Sequence, residues 1–185
     1  MVRVGLVLLL LLQVQLANAG SLISNEYDKY FKEYSLFLPL GTDWRLLKAQ
    51  CYQESRLDPF AVSPVGAMGL CQFMPSTARE YSNRYPELDN FWLPEVSIKA
   101  AALYMNRLNN YWKSKRPQID RYMLALASYN SGVGNITKSQ ILCNGNVLYK
   151  EIIKCLPLVT KQHSKETINY VSLIIRKHYV DLLFN

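Results

Sequence analysis

Glu54 is a residue type suited to acid–base chemistry: a carboxyl near the end of a helical-period segment, with the hydroxyl of Ser55 beside it. The nearest other acid in sequence, Asp58, precedes Pro59 in a position suited to a turn or a cap. Further along stand a side-chain amide at Gln72, a Tyr129-Asn130 pair, and Glu166 four residues before Tyr170, a spacing that puts both on one helix face. His163 and His178 have no cysteine or carboxylate at ligand spacing, and Cys51, Cys71, Cys143 and Cys155 lack the paired pattern of a zinc site. No metal and no cofactor are therefore expected. A glutamate on a helix is ordinarily a solvated charge, so Glu54 needs a specific setting before it can serve as an acid.

The elements that must supply that setting are nearly all helical. Residues 43–56 carry Trp44, Leu47 and Cys51 at helical spacing, with Thr42 or Asp43 available as N-cap, and this helix delivers Glu54 close to its end. A first helix is expected at 25–36. Residues 57–75 have no helical period and contain Pro59, Pro64, Gly66, Gly69 and Pro75, which predicts turns with a short irregular strand. Helices resume at 76–84 and 94–114. The second of these has an apolar stripe of Ile98, Ala101, Ala102, Met105, Leu108 and Trp112. Another runs over 120–130 and stops at Ser131-Gly132. Short helices are expected at 135–142 and 147–156, and a long one at 164–183. With no repeat and no linker, the pattern predicts one mostly α domain with an irregular turn and strand region.

Four segments together resemble a known family. Glu54-Ser55 closes a helix; Gly69-Leu70-Cys71-Gln72-Phe73-Met74-Pro75 follows; then come Ala127-Ser128-Tyr129-Asn130-Ser131-Gly132 and Glu166-Thr167-Ile168-Asn169-Tyr170-Val171. In this order they resemble the four motifs of the soluble lytic transglycosylases, whose fold is lysozyme-like, of the goose type. The resemblance covers residues 43–180. It departs from the family at Cys71, where Met is usual, which bears on the shape of the sugar subsite and leaves the acid untouched.

The resemblance implies an enzyme that cuts peptidoglycan glycan strands with one catalytic carboxyl, Glu54. Most glycosidases use two carboxyl groups, and substrate-assisted enzymes are the exception. Glu54 is expected to protonate the oxygen between N-acetylmuramic acid and N-acetylglucosamine while the 2-acetamido group stabilises the cationic centre. The carboxylate then takes the proton of the C6 hydroxyl, giving a 1,6-anhydro product without water. Cys51, Leu70, Met74 and Tyr129 are expected around Glu54, and such apolar burial raises a carboxyl pKa. Ser55, Gln72, Tyr129, Asn130, Glu166 and Tyr170 are expected to bind substrate. Tyr129 is expected to aim its hydroxyl at Glu54, and Met68 and Met74 to pack the loop. A hydrolytic muramidase and an inactive wall-binding module are the competing readings.

Arg3, the apolar run Val4 to Leu16 and Ala17-Asn18-Ala19 before Gly20 have the layout of a secretory signal peptide over residues 1–19, with a retained anchor as the alternative. The domain is then residues 20–185. The chain carries 21 Lys and Arg against 14 Asp and Glu, a net charge of +7. A basic exported protein is drawn to an anionic wall. Nucleic acid is not expected as a partner, membrane contact is expected only through the leader, and a monomer in the periplasm or wall space is the reading. Four cysteines in an exported chain suit disulfides, and of three pairings Cys143–Cys155 with Cys51–Cys71 is favoured, free thiols being the alternative. Lys161, Lys165, Arg176 and Lys177 are expected on a solvated face.

Overall fold

The computed structural model describes residues 23–184, and the leader expected at 1–19 lies outside the described residues. The described chain is helical nearly throughout. Its order is α1 (Asp28–Tyr34) with a 3-10 turn (Ser35–Phe37), α2 (Trp44–Ser55), α3 (Pro75–Arg84), α4 (Pro94–Tyr111), α5 (Gln118–Ser131), α6 (Val133–Leu142) and α7 (Tyr149–Ile152). A 3-10 turn (Ile153–Cys155), α8 (Leu156–Thr160), another 3-10 turn (Lys161–His163), α9 (Ser164–Leu173), a π turn (Ile174–His178) and α10 (Tyr179–Leu183) complete it. Among the described residues no helix is long and apolar enough to cross a membrane.

The helix starts follow local chemistry. Asp43 caps α2 by accepting from the Arg45 backbone N–H at 2.9 Å. Pro75 and Pro94 stand at the first positions of α3 and α4, where the missing N–H costs nothing. The stripe expected on α4 is the core: Ile98, Ala101, Ala102, Met105, Leu108 and Trp112 are all buried, packed with Leu124, Leu126 and Ala127 of α5. Beneath this, fully buried Lys48 of α2 pairs with Asp28 of α1 at 2.5 Å and donates to Asn25 Oδ1 at 2.9 Å.

Several expected boundaries differ: the first helix starts at Asp28 and not at 25, and α4 ends at Tyr111 and not at 114. The helix carrying Glu54 ends one residue before Arg56, which takes a left-handed conformation (φ 61°) with its N–H on the Tyr52 carbonyl. Leu57 is left-handed as well (φ 66°), so the chain turns there and not at Asp58-Pro59. The single short helix expected at 147–156 is divided into α7 and a 3-10 turn, and Pro157 then begins α8.

The segment between α2 and α3 is irregular, with isolated antiparallel bridges joining Val62 to Met68 and Met68 to Phe73. It is held at one point from three directions. Cys71 is disulfide-bonded to Cys51 of α2. The Cys71 N–H donates to Ser97 Oγ of α4 at 3.1 Å, and the Cys71 carbonyl accepts from the Tyr129 hydroxyl of α5 at 2.7 Å. Gly69 has φ +76°, and a Cβ there would collide with the Phe91 carbonyl, so the loop can approach the turn that precedes α4 only with glycine at this position. A second disulfide, Cys143–Cys155, ties the end of α6 to the turn before α8.

Candidate active site

The end of α2, the anchored loop, the end of α5 and one face of α9 enclose a cleft of about 510 Å³. Glu54, Gln72, Tyr129, Asn130, Glu166 and Tyr170 all line it. The four segments singled out in the sequence therefore converge on one place. Glu166 and Tyr170 reach it together because they are four residues apart on α9.

Glu54 is half-buried at the cleft wall. Its Oε1 accepts from the Tyr170 hydroxyl at 2.5 Å. Burial raises its pKa from the ordinary 4.5 to about 7; the Tyr170 hydrogen bond opposes that rise and the negative charge of Glu166 adds to it. Among the described residues Tyr170 is the one donor to this carboxyl. The result is a carboxyl that holds its proton close to neutrality and faces open space, the condition a general acid requires.

Four side chains stand otherwise than expected. Tyr129 lines the cleft, but its hydroxyl goes to the Cys71 carbonyl and not to Glu54. Tyr170, expected to bind substrate, lines the cleft and holds the acid as well. Ser55 spends its hydroxyl hydrogen on the Leu70 carbonyl at 2.7 Å and is absent from the cleft lining, so it ties the end of α2 to the loop. Met74, expected to pack the loop, is exposed on the cleft wall.

Gln72, expected to bind substrate, lines the cleft and also braces the loop. It sits at φ 53°, a conformation unusual for a residue with a side chain, and donates its amide N–H groups to the carbonyls of Ala61 (3.0 Å) and Gly69 (2.9 Å). Those bonds brace the loop and leave the amide oxygen as the group available to a ligand. Asn130 Oδ1 accepts from the Thr167 hydroxyl at 2.7 Å, which joins the third motif to the fourth.

Gln53, Ser63, Val65, Asn169 and Leu173 also line the cleft without having been singled out. Asn169 and Leu173 lie three and seven residues after Glu166, so helical spacing from Glu166 was a usable signal for both. Gln53 carried no such signal. Asp58 is not in the cleft; its Oδ1 accepts from the Phe60 N–H at 2.8 Å in a turn. Lys161, Lys165, Arg176 and Lys177 are exposed. Among the described residues no group of His, Cys, Asp and Glu could hold a metal ion.

The fold has solved counterparts. The 70 kDa soluble lytic transglycosylase of Escherichia coli superposes with a TM-score of 0.68 at 23% identity, over 88% of this chain and 25% of that one. An inactive mutant of the lytic transglycosylase Slt from Pseudomonas aeruginosa gives 0.61 at 23% identity, over 82% and 24%. In sequence, the membrane-bound lytic murein transglycosylase F of Pseudoalteromonas translucida is 32% identical over 163 residues, 84% of this chain and 33% of the relative. Its namesake from Shewanella loihica is 34% identical over 162 residues, 84% and 32%. The chain thus spans about a third of the length of these relatives. The family description "Transglycosylase SLT domain" matches residues 39–145, more than half of the chain, and on that match the protein belongs to the transglycosylase SLT domain family.

Proposed function

We propose that this protein is a peptidoglycan lytic transglycosylase that cleaves the β-1,4 bond between N-acetylmuramic acid and N-acetylglucosamine without water. The observation that carries the reading is Glu54: a half-buried carboxyl with a pKa near 7, held by Tyr170 in a cleft whose other acidic lining residue is the exposed Glu166. Glu54 gives its proton to the bridging oxygen as the C1–O bond breaks. The 2-acetamido carbonyl oxygen of the muramic acid bonds to C1 and carries the positive charge. The Glu54 carboxylate then removes the C6 hydroxyl proton, O6 displaces the acetamido oxygen at C1, and the acid is restored with a 1,6-anhydro end formed. Gln72, Asn130 and Glu166 bind the strand, and Tyr129 shapes the wall. The names of the relatives, lytic murein transglycosylases, support the same reading.

The protein acts as a monomer in the periplasm or wall space, after export directed by residues 1–19, with residues 20–185 as the catalytic domain. Mass spectrometry of soluble muropeptides released from purified sacculi tests the reaction. Products one water lighter than hydrolytic muropeptides, lost in Glu54→Gln, are expected. Reducing-end muropeptides would instead make the protein a hydrolase.

A further inference from the structure

Gln53 precedes the acid by one residue and lines the same cleft, because the cleft wraps the open end of α2. Its Oε1 lies 2.8 Å from Nε2 of His178. An amide oxygen only accepts, so the imidazole nitrogen facing it must carry the hydrogen. His178 is buried, with its ring edge-on to Tyr52 at 4.9 Å. Burial, with the charges of Arg56 and Lys177, holds the imidazole pKa below its ordinary value against the opposing effect of Asp181. Facing that oxygen, the ring holds an N–H at Nε2.

The helical rod from Ser164 to Leu183 makes this contact possible. It meets α2 at three side-chain bonds: Tyr170 to Glu54, His178 to Gln53, and the Tyr179 hydroxyl to Asp43 Oδ2 at 3.1 Å. On a regular helix, residues eight apart diverge by about 80°. The wider π turn at Ile174–His178 rotates less per residue, which returns His178 towards the face of Tyr170.

With its oxygen fixed on His178, the Gln53 amide turns its N–H groups the other way, and no described protein group accepts from them. A donor-only group on the wall of a glycan cleft calls for an acceptor, and binds best to one that has no hydrogen of its own to place. Of the acceptor-only oxygens that recur on every sugar of this polymer, the N-acetyl carbonyl is a far stronger acceptor than the ring and glycosidic ether oxygens. We infer that Gln53 binds an N-acetyl carbonyl of the glycan and that His178 is the positioning residue that orients it, an inference that rests on the glycan reading above. The carbonyl in question belongs to a sugar next to the reacting one, since a donor on the participating carbonyl would weaken it as a nucleophile.

The test is oligosaccharide binding in a Glu54→Gln background, with the tetramer of N-acetylglucosamine and its de-N-acetylated counterpart as probes, read by calorimetry. Gln53→Ala and His178→Phe, which keeps the ring against Tyr52 but has no N–H, are each expected to weaken the N-acetylated probe about tenfold, the worth of one hydrogen bond. The combined variant is expected to be no weaker than either alone, because both remove one interaction. His178→Gln, which restores an amide N–H, is expected to recover most of the loss, and it decides the matter with Gln53→Ala if the Phe variant does not fold. Additive losses, equal losses for both probes, or native binding by Gln53→Ala would each overturn the inference. Failure of wild type to release muropeptides from sacculi would overturn the lytic reading instead, and is read independently of these affinities.

Discussion

The Tyr170 hydroxyl donates to Glu54 Oε1 at 2.5 Å across 116 residues of sequence, joining the last motif of the chain to the first. This bond has two opposed effects. It orients the acid, and it favours the ionised form, holding the pKa below what burial and Glu166 would otherwise impose. The site is thus tuned between a carboxyl too acidic to stay protonated and one too weak to return as a base.

Tyr170→Phe separates these effects. The pKa of Glu54 is expected to rise, moving the alkaline limb of the pH–rate profile on sacculi to higher pH, while the maximal rate falls about tenfold through lost orientation. Tyr129→Phe, whose hydroxyl serves the Cys71 carbonyl, is expected to leave that limb in place. A shift in Tyr129→Phe and none in Tyr170→Phe would reverse the assignment.

Glu54→Gln is expected to abolish turnover and to change stability with a defined sign. The folded-state pKa, about 7, lies above the ordinary 4.5, so the stability contributed by this group is fully present below about pH 4.5 and is lost as the pH rises through about 7. Glutamine has no proton to lose. The variant is expected to unfold like wild type near pH 4.5 and to exceed it at pH 8 by on the order of 3 kcal/mol. Urea unfolding at the two pH values measures this, and an unchanged difference would mean that the carboxyl is not buried in solution.

Removing the Cys51–Cys71 bond by changing both residues to Ala is expected to cost about 3 kcal/mol, given the 20-residue separation it closes. It also frees the loop beside Glu54, so activity at a temperature where the variant remains folded is expected to fall several-fold. The Cys143–Cys155 bond lies outside the cleft, and its removal is expected to lower the melting temperature with little change in turnover.

Gly69→Ala adds a Cβ where the backbone of Phe91 already stands, at a φ that side chains rarely adopt. A loss of more than about 2 kcal/mol is expected in thermal or urea unfolding. Gly66→Ala, at φ +84° but with open space around it, is expected to cost less, only its conformational strain. Equal losses at the two positions would show that contact with Phe91 contributes nothing.

Local rules in the sequence account for most of the helical framework. The Asp43 cap, the prolines that open α3 and α4, the buried stripe from Ile98 to Trp112 and the shared face of Glu166 and Tyr170 each follow from interactions within a few residues. The grouping of Glu54 with its companions came from the family resemblance of the four motifs and not from any local rule. Partnerships between distant residues were not legible in this way. Helical period says which way a side chain points around its own axis, but not how deep it lies or which acceptor it meets. Tyr129 and Tyr170 both point into the cleft, and only the packing of α5 and α9 against the loop sends one hydroxyl to Cys71 and the other to Glu54. Ser55 turned to Leu70, and Gln53 taken up by His178, are decided by the same convergence. A hydrogen bond reaches about 3 Å, and contact at that range between segments so far apart in the chain is set only when the whole core has closed.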